Sequence, residues 1–336
     1  MIKNVKILPD KLKIFFSNQI EDSFLNIWLR DHAKDEDSWD LRSNQRKIFT
    51  AKLDPKIHIK KAEVKDNGNS LDILWSDSNK TINYTSKFFL DNLNQSKTSK
   101  QSLKIWESKD LDQNIYIDYN DAISENGFKF FLKKLYEYGF VVVQNCRTEM
   151  SSVEKIAKKI GYVRESIFGG LWSFESNQDK ADSAYTQEEL RPHTDSTYSN
   201  DAPGLQLLLC CHYKATGGES IMVDGFKIAE KIKNEKKDIY DTLTNFEVTG
   251  QYLGDGVSLK AKRPIFRLNS NRELIQVSFN NYDRAPFRMS EDKTIKFYES
   301  IREFDLIANN KEYQWRRVLK HCLLYTSDAA DDVISV

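Results

Sequence analysis

Short apolar segments separated by polar turns dominate the first 105 residues. Segments 5–7 and 12–16 flank a turn at Pro9-Asp10, and segments 71–75 and 81–84 flank a polar turn at 76–80. Apolar segments paired across such turns predict β-hairpins. We therefore expect residues 1–105 to form a small β-rich domain that ends in a short helix near 86–93. The lysine- and serine-rich stretch 92–110 is typical of a linker.

The period of the apolar pattern changes after residue 110. Phe128, Phe131, Leu132 and Leu135 recur at helical spacing and predict a helix over 121–138. An uninterrupted apolar run at 139–143 predicts a buried strand. Residues 151–160 predict a second amphipathic helix, which ends before a glycine. These three elements predict a scaffold rather than a functional site.

Strands with turns between them dominate the chain from residue 205. The predicted strands are 205–211, 220–223, 246–252, 265–268, 274–279 and 313–319, and the predicted helices are 226–242 and one that begins at Ser290. Helices followed by many strands suit an α+β, mainly β fold. We predict a double-stranded β-helix (a jelly roll) with flanking helices over residues 111–320.

Charge and cysteine content exclude several classes of protein. Lysine and arginine together number 50, and so do aspartate and glutamate, so no excess charge attracts nucleic acid or an anionic membrane. No apolar stretch is long enough for a membrane span or a signal peptide. The four cysteines form no C-x-x-C pair, which favours a reducing, cytoplasmic location.

Candidate chemistry is concentrated around His193 and Asp195. On an extended chain, side chains two residues apart point to the same side, so the imidazole of His193 and the carboxylate of Asp195 would lie together. They are two of the three ligands in the 2-His-1-carboxylate set of non-haem Fe(II) oxygenases. Alone, this triplet is a weak signal, and a surface histidine beside a capping aspartate is the more usual interpretation. Three aromatic residues in the polar, loop-like segment before it favour a site: Phe168, Trp172 and Tyr185.

The motifs around this triplet resemble those of the trimethyllysine and γ-butyrobetaine dioxygenases, in the taurine-dioxygenase-like group. The resemblance is carried by FGGLW, KADSAYT, RPHTDSTY, PGLQLL, TGGESIMVDGF and FNNYDRA, and it extends to about Lys320. It implies an Fe(II)/2-oxoglutarate-dependent dioxygenase of carnitine biosynthesis, with ascorbate as an assisting reductant and a homodimer as a common assembly. No side chain other than the metal ligands is expected to act in catalysis.

The resemblance also assigns roles to residues. His193 and Asp195 are implied iron ligands, and Ser220 is an implied contact of 2-oxoglutarate, although a plain turn residue fits Ser220 equally well. The substrate is implied to be a small quaternary ammonium compound, which aromatic faces can bind by cation–π contact. The implied substrate-binding residues are Phe168, Trp172, Asp182, Tyr185 and Asn280. The acidic Asp182 suits an α-ammonium group, which trimethyllysine has and γ-butyrobetaine lacks.

Two features depart from the family pattern. Relatives carry zinc-binding cysteines after a phrase like Trp28–Asp31, but this chain has no cysteine before Cys146, so we expect no structural zinc. The second iron histidine and the 2-oxoglutarate arginine should follow a Pro-Gly turn after Lys320. Residues 321–336 contain no proline, glycine or arginine. We predict that they are a non-native tail and that the domain is C-terminally incomplete, with unpaired strand edges.

Three hypotheses follow. The first is a hydroxylase of Nε-trimethyllysine, and the second is a hydroxylase of γ-butyrobetaine or another betaine. The third is a catalytically inactive, truncated relative that keeps the fold. A further alternative makes His321 the third iron ligand, although the run that precedes it fits an earlier strand better.

Overall fold

The computed structural model describes residues 1–93, 103–111, 113–173, 190–201, 204–214, 216–254, 256–320, 324–328 and 333–335, the last two segments as backbone only. The chain divides into two compact units, Met1–Lys100 and Gln101–Val336. The predicted limits at 105, 111 and 321 stay predictions.

The first unit consists of two three-stranded antiparallel sheets and two short helices. One sheet contains β1 (Ile2–Ile7), β2 (Lys11–Phe16) and β3 (Glu21–Leu25), and the other contains β6 (Ile59–Lys65), β7 (Ser70–Trp75) and β8 (Thr81–Thr85). The helices are α1 (Asn26–Asp31) and α2 (Ser86–Asp91), and a small ladder pairs β4 (Trp39–Asp40) with β5 (Gln45–Arg46). The predicted hairpins and the β-rich character are confirmed. Alternate residues of β2 and β7 are buried, so apolar side chains of both sheets form one core.

Charged and aromatic contacts hold the segment that follows α1. The Asp31 carboxylate accepts a hydrogen bond from Thr50 Oγ1 at 2.6 Å and lies 3.3 Å from Arg46 Nη2. The Trp39 ring lies 4.8 Å from Lys34 Nζ and 5.8 Å from the Arg46 guanidinium carbon. These contacts connect the two ends of the segment in which relatives are expected to carry zinc ligands. The absence of zinc stays a prediction.

Three helices cover a four-stranded sheet in the second unit. The helices are α3 (Tyr119–Ile123), α4 (Glu125–Tyr138) and α5 (Met150–Ile160). The sheet has the order β11 (Leu205–Leu209), β18 (Leu324–Asp328), β10 (Phe140–Gln144) and β9 (Tyr116–Asp118). Gly139 ends α4 at a φ of 77°, a left-handed conformation that glycine adopts without steric cost. The apolar strand that follows is buried, as predicted.

The rest of the second unit contains three further small sheets. Strand β12 (Glu219–Val223) lies between β17 (Gln314–Val318) and β19 (Val333–Ser335), β13 (Glu247–Gly254) pairs with β14 (Val257–Pro264), and β15 (Phe266–Leu268) pairs with β16 (Leu274–Val277). Helices α6 (Gly225–Glu235), α7 (Lys237–Asn245) and α8 (Glu291–Ala308) pack on a core formed with β12, β15 and β16. The fold is mixed helix and sheet, and the described strands form no closed barrel. The predicted double-stranded β-helix stays a prediction.

Three sequence predictions differ from the structure. The predicted helix 121–138 is two helices, because the Ser124 hydroxyl accepts a hydrogen bond from Gly127 N and begins α4 anew. The predicted helix 226–242 is also divided, at Lys236. The strand edges expected to be unpaired are partly paired, since backbone 324–328 pairs with both β10 and β11, while β9 and β11 remain the edge strands of that sheet.

Part of the predicted linker is core. Trp106 is 1% exposed, and its ring packs against Phe140 at 5.5 Å between ring centroids. Its indole N–H donates to Tyr138 O at 2.9 Å, and its backbone N–H donates to the Asp224 carboxylate at 2.8 Å. A large ring buried with both donors satisfied stabilises the fold rather than connecting domains.

Within the described part of the chain, no helix has the length and apolar character needed to cross a membrane.

Candidate active site

His193 and Asp195 meet side by side in the segment between α5 and β11. The His193 Nε2 atom lies 3.3 Å from Asp195 Oδ1. The other ring nitrogen, Nδ1, lies 2.8 Å from the Arg191 carbonyl oxygen, to which it donates when protonated. This contact fixes the imidazole ring and directs Nε2 towards the carboxylate. The predicted pairing of the two side chains is therefore present in the structure.

A third side chain orients the carboxylate. Gln206 Nε2, on β11, donates to Asp195 Oδ2 at 2.9 Å, which leaves Oδ1 facing the imidazole. The side chain of Asp195 is 44% exposed, whereas that of His193 is 10% exposed. The sequence analysis missed Gln206. The available signal was one polar residue inside the apolar run 205–211.

The two groups shift each other's protonation. Burial lowers the pKa of His193, but the hydrogen bond and negative charge of Asp195 outweigh burial, so the pKa is raised overall. Burial raises the pKa of Asp195, but the contact with His193 outweighs it, so this pKa is lowered. Without a metal the pair therefore favours an imidazolium and a carboxylate. A divalent cation would take the place of the Nε2 proton.

The two donor atoms of the pair lie close enough together to hold one metal ion, since His193 Nε2 is 3.3 Å from Asp195 Oδ1. Imidazole nitrogen and carboxylate oxygen are also the donors that the 2-His-1-carboxylate set requires. The described residues contain no group of three or more histidine, cysteine, aspartate or glutamate side chains placed to hold a metal. His321, the alternative third ligand, lies outside the described residues.

The segment 279–283 lies directly against the pair. Thr194 N donates to Phe279 O at 2.7 Å, and Phe279 N donates to Thr194 Oγ1 at 3.0 Å. The amide of Asn280 donates to Thr194 O at 3.1 Å. Asn280 is thus brought next to the predicted metal donors. Its predicted contact with substrate stays a prediction.

Tyr282 contacts both His193 and Arg191, whose carbonyl oxygen orients the His193 ring. The two rings are perpendicular, with centroids 5.5 Å apart. The Tyr282 hydroxyl accepts a hydrogen bond from Arg191 N at 2.9 Å, and the Arg191 guanidinium pairs with Asp305 of α8 at 2.7 Å. The carbonyl that receives the His193 hydrogen bond is therefore held from two sides.

Two of the predicted substrate-binding aromatics contact each other. The rings of Phe168 and Trp172 have centroids 5.4 Å apart, and Trp172 is 37% exposed. Phe168 also meets Tyr252 of β13 edge-on at 6.1 Å, and Tyr252 meets Tyr198 at 5.3 Å. Tyr252 was missed because it lies far from the loop in sequence, and Tyr198 was missed although it ends the RPHTDSTY motif. Together these rings form a continuous line from the loop to the segment that carries the predicted metal donors.

A glycine allows β13 to approach that segment. A Cβ atom at Gly250 would lie 2.5 Å from the Thr197 carbonyl carbon, which is closer than real contacts allow. Gly250 therefore brings the strand that carries Tyr252 to within contact of residue 197.

The remaining predicted site residues are Ser220, Asp182 and Tyr185. Ser220 is buried in β12, with its Cα opposite that of Arg317 in β17, and its contact with 2-oxoglutarate stays a prediction. Asp182 and Tyr185 lie outside the described residues.

Comparison with known families identifies the class of protein. A family model described as "Taurine catabolism dioxygenase TauD, TfdA family" matches residues 105–320. A second, described as "Gamma-butyrobetaine hydroxylase-like, N-terminal", matches residues 5–89. The chain belongs to the TauD/TfdA family, which places it among the Fe(II)/2-oxoglutarate-dependent dioxygenases and confirms the predicted family.

Individual enzymes and one solved structure are also similar to this chain. The trimethyllysine dioxygenase of Meyerozyma guilliermondii is 27% identical over 342 residues, covering 94% of this chain and 85% of the relative. Human mitochondrial trimethyllysine dioxygenase is 28% identical, covering 82% of this chain and 67% of the relative. Human gamma-butyrobetaine dioxygenase is 27% identical, covering 90% of this chain and 80% of the relative. A crystal structure of a taurine dioxygenase from Burkholderia xenovorans has a TM-score of 0.47 and 12% identity, covering 70% of this chain and 84% of that one.

Proposed function

We propose that this protein hydroxylates a trimethylammonium substrate, and that the substrate is Nε-trimethyllysine in carnitine biosynthesis. The observation that carries the proposal is the His193–Asp195 pair, in which both side chains are oriented by hydrogen bonds that leave one donor atom of each facing the other. The same proposal includes a double-stranded β-helix for the second unit, a cytoplasmic location and a homodimer.

The roles of the residues follow from their contacts. His193 and Asp195 would hold Fe(II), and Gln206 would keep Oδ2 of the carboxylate occupied so that Oδ1 faces the metal. Iron and 2-oxoglutarate together supply the oxidising power for inserting one oxygen atom of O₂ into a C–H bond, while 2-oxoglutarate becomes succinate and CO₂. The protein side chains bind, orient and exclude water.

Aromatic rings supply the selectivity for a quaternary ammonium group. Such a group cannot donate a hydrogen bond, so ring faces are the remaining source of attraction. Phe168 and Trp172 are in contact with each other, and Trp172 keeps about a third of its surface exposed. This supports a binding surface at the Phe168–Trp172 pair, to which Tyr185 is proposed to contribute.

Substituting Trp172 by alanine should raise the KM for trimethyllysine by about tenfold, which corresponds to ~1.4 kcal/mol of lost cation–π attraction. Trp172→Phe, which keeps a ring face, is the matched control and should lose less. The measurement is steady-state succinate release with Fe(II), 2-oxoglutarate and ascorbate present. A neutral analogue with a tert-butyl group in place of trimethylammonium tests the cause. If Trp172→Ala weakens binding of charged and neutral compounds equally, the cation–π role is excluded.

Substituting Asp182 by alanine should separate the two candidate substrates. The carboxylate is proposed to pair with the α-ammonium group, so kcat/KM for trimethyllysine should fall by about 10- to 100-fold, as for loss of a charge-assisted hydrogen bond. The value for γ-butyrobetaine, which has no α-ammonium group, should stay unchanged. Mass spectrometry of the hydroxylated products gives kcat/KM for both substrates. An equal loss for the two substrates would contradict the assignment of Asp182.

A second candidate function is supported by one observation. Among the described residues, only two of the proposed metal donors come together. This supports the hypothesis that the chain is a catalytically inactive relative that keeps the fold. The same succinate assay on the purified chain decides between the two proposals. Release of succinate at the rate of an ordinary dioxygenase excludes the inactive form.

A further inference from the structure

We propose that Thr194, Asn280 and Asp283 form a clamp that positions the two metal donors, with Asn280 as its central positioning residue. The inference rests on the proposed function, because it assumes that a metal binds between His193 and Asp195. It gives Asn280 a role in metal affinity that the family resemblance does not imply.

Thr194 lies between the two donors and is held on every polar atom. Its N–H donates to Phe279 O at 2.7 Å, its hydroxyl accepts from Phe279 N at 3.0 Å, and its carbonyl accepts from Asn280 Nδ2 at 3.1 Å. The residue is 3% exposed, so water does not compete for these bonds. The backbone of a central residue sets the direction of the side chains on either side of it. Fixing Thr194 therefore fixes the relative placement of both donors.

Asn280 has no hydrogen-bonding capacity left for a ligand in this arrangement. Its Nδ2 donates to Thr194 O and to Asp283 Oδ2 at 3.0 Å, and its Oδ1 accepts from the backbone N–H groups of Tyr282 at 2.8 Å and Asp283 at 3.2 Å. An asparagine amide offers two donor hydrogens and one acceptor oxygen with two lone pairs, and all are used. The residue is 9% exposed. A substrate contact would break one of these bonds.

Asp283 extends the clamp to a third segment. Its Oδ2 lies 3.5 Å from Thr197 Oγ1 and accepts from Asn280. Its carbonyl accepts a hydrogen bond from Gln251 N of β13 at 2.7 Å. The donor segment, the segment 279–283 and β13 are thus connected through buried or half-buried polar groups. A network of this kind holds metal ligands more rigidly than a single contact does.

The chain offers a matched control, because Asn281 follows Asn280 directly and is exposed. Co(II) is the probe, since its binding can be followed by visible absorption without turnover. In titrations of the purified chain, Asn280→Ala and Thr194→Val should each weaken Co(II) binding by about 10- to 100-fold, as for loss of an outer-shell partner. Asn281→Ala should bind like the unsubstituted chain. Thr194→Ser, which keeps the hydroxyl, should retain most of the affinity for Co(II).

Hydrogen exchange in the metal-free protein provides a second, independent test. In Asn280→Ala, amides in the peptide 190–199 should exchange at least about tenfold faster, because the hydrogen bond between Thr194 N and Phe279 O opens more often. Peptides from β1, β2 and α8 should exchange as before. Unchanged exchange in 190–199, or faster exchange throughout the second unit, would overturn the clamp.

The outcomes distinguish the clamp from the proposed function. If Asn280→Ala matches Asn281→Ala in Co(II) affinity and exchange but binds trimethyllysine more weakly, Asn280 is a substrate residue and the clamp is wrong. If affinity and exchange change as expected while no variant releases succinate, the clamp stands and the proposed function fails.

Discussion

Replacement of His193 by alanine is expected to abolish 2-oxoglutarate-dependent succinate release, with a loss of roughly a thousandfold or more, or at least ~4 kcal/mol of transition-state stabilisation. The imidazole is one of the two proposed metal donors, and its Nδ1 is already fixed by Arg191 O. Removing it leaves Asp195 with a single oxygen donor facing the site. Affinity for Co(II) should fall with activity, so one titration and one turnover assay measure both effects.

A matched control is available in the first unit. His58 is exposed and belongs to the first unit, so His58→Ala changes only the histidine content and should keep both activity and Co(II) affinity. Gln206→Ala should give an intermediate result, about 10- to 100-fold weaker in Co(II) affinity, because it removes a partner of the carboxylate rather than a donor. A His193→Ala protein that binds Co(II) as tightly as the unsubstituted chain would refute the assignment.

Substitution of Asp224 by alanine is expected to lower the free energy of unfolding of the second unit by about 2–4 kcal/mol at pH 7. One carboxylate oxygen accepts from Phe226 N at 2.8 Å and Lys227 N at 3.1 Å at the start of α6. The other accepts from Trp106 N at 2.8 Å. Alanine leaves these donors without the carboxylate, and Trp106 is buried where water cannot replace it. Urea unfolding followed by near-UV circular dichroism measures the change, with exposed Asp238→Ala as the control.

The same carboxylate predicts a pH dependence. Burial raises the pKa of Asp224 from its ordinary 3.8 to about 6, against the opposing effect of the backbone N–H donors. The folded state therefore binds the proton more tightly than the unfolded state does. Stability contributed by protonation is present below pH 3.8 and is lost as the pH rises through 6. This shift in the pKa of Asp224 corresponds to a change of about 3 kcal/mol in the free energy of unfolding. Asp224→Asn cannot titrate, so the unsubstituted chain should lose stability relative to this variant between pH 4 and 7. A pH-independent difference would contradict the raised pKa.

Local patterns predicted most of the regular elements. The apolar run at 139–143 became the buried strand β10, and the serine at 290 begins α8 at Glu291. The two divided helices were not predicted, because the apolar spacing continues across Ser124 and Lys236 even though the backbone does not. Strand β14 was also missed. Its apolar residues alternate with polar ones, which is a strand pattern, and the strand pairs with β13.

The candidate site was predictable only where its residues are close in sequence. His193 and Asp195 share one triplet, and Phe168 and Trp172 share one loop. Gln206, Tyr252 and Asn280 take their positions from contacts across 11 to 86 residues, which no local period encodes. Asn280 could be assigned to the substrate by resemblance, but only the four hydrogen bonds of its amide indicate a positioning role.

The buried position of Trp106 affects how the second unit can be produced by itself. Its first strand, β9, begins at Tyr116, and a fragment designed from regular elements would start there. Such a fragment would lack the indole that packs against Phe140, whose ring also packs against Trp315, and Asp224 would keep a buried carboxylate oxygen without its donor. An expression fragment of this unit therefore has to begin upstream of Ile105, ten residues and more before its first strand. Trp106, which precedes every strand of this unit, therefore belongs to its folded core.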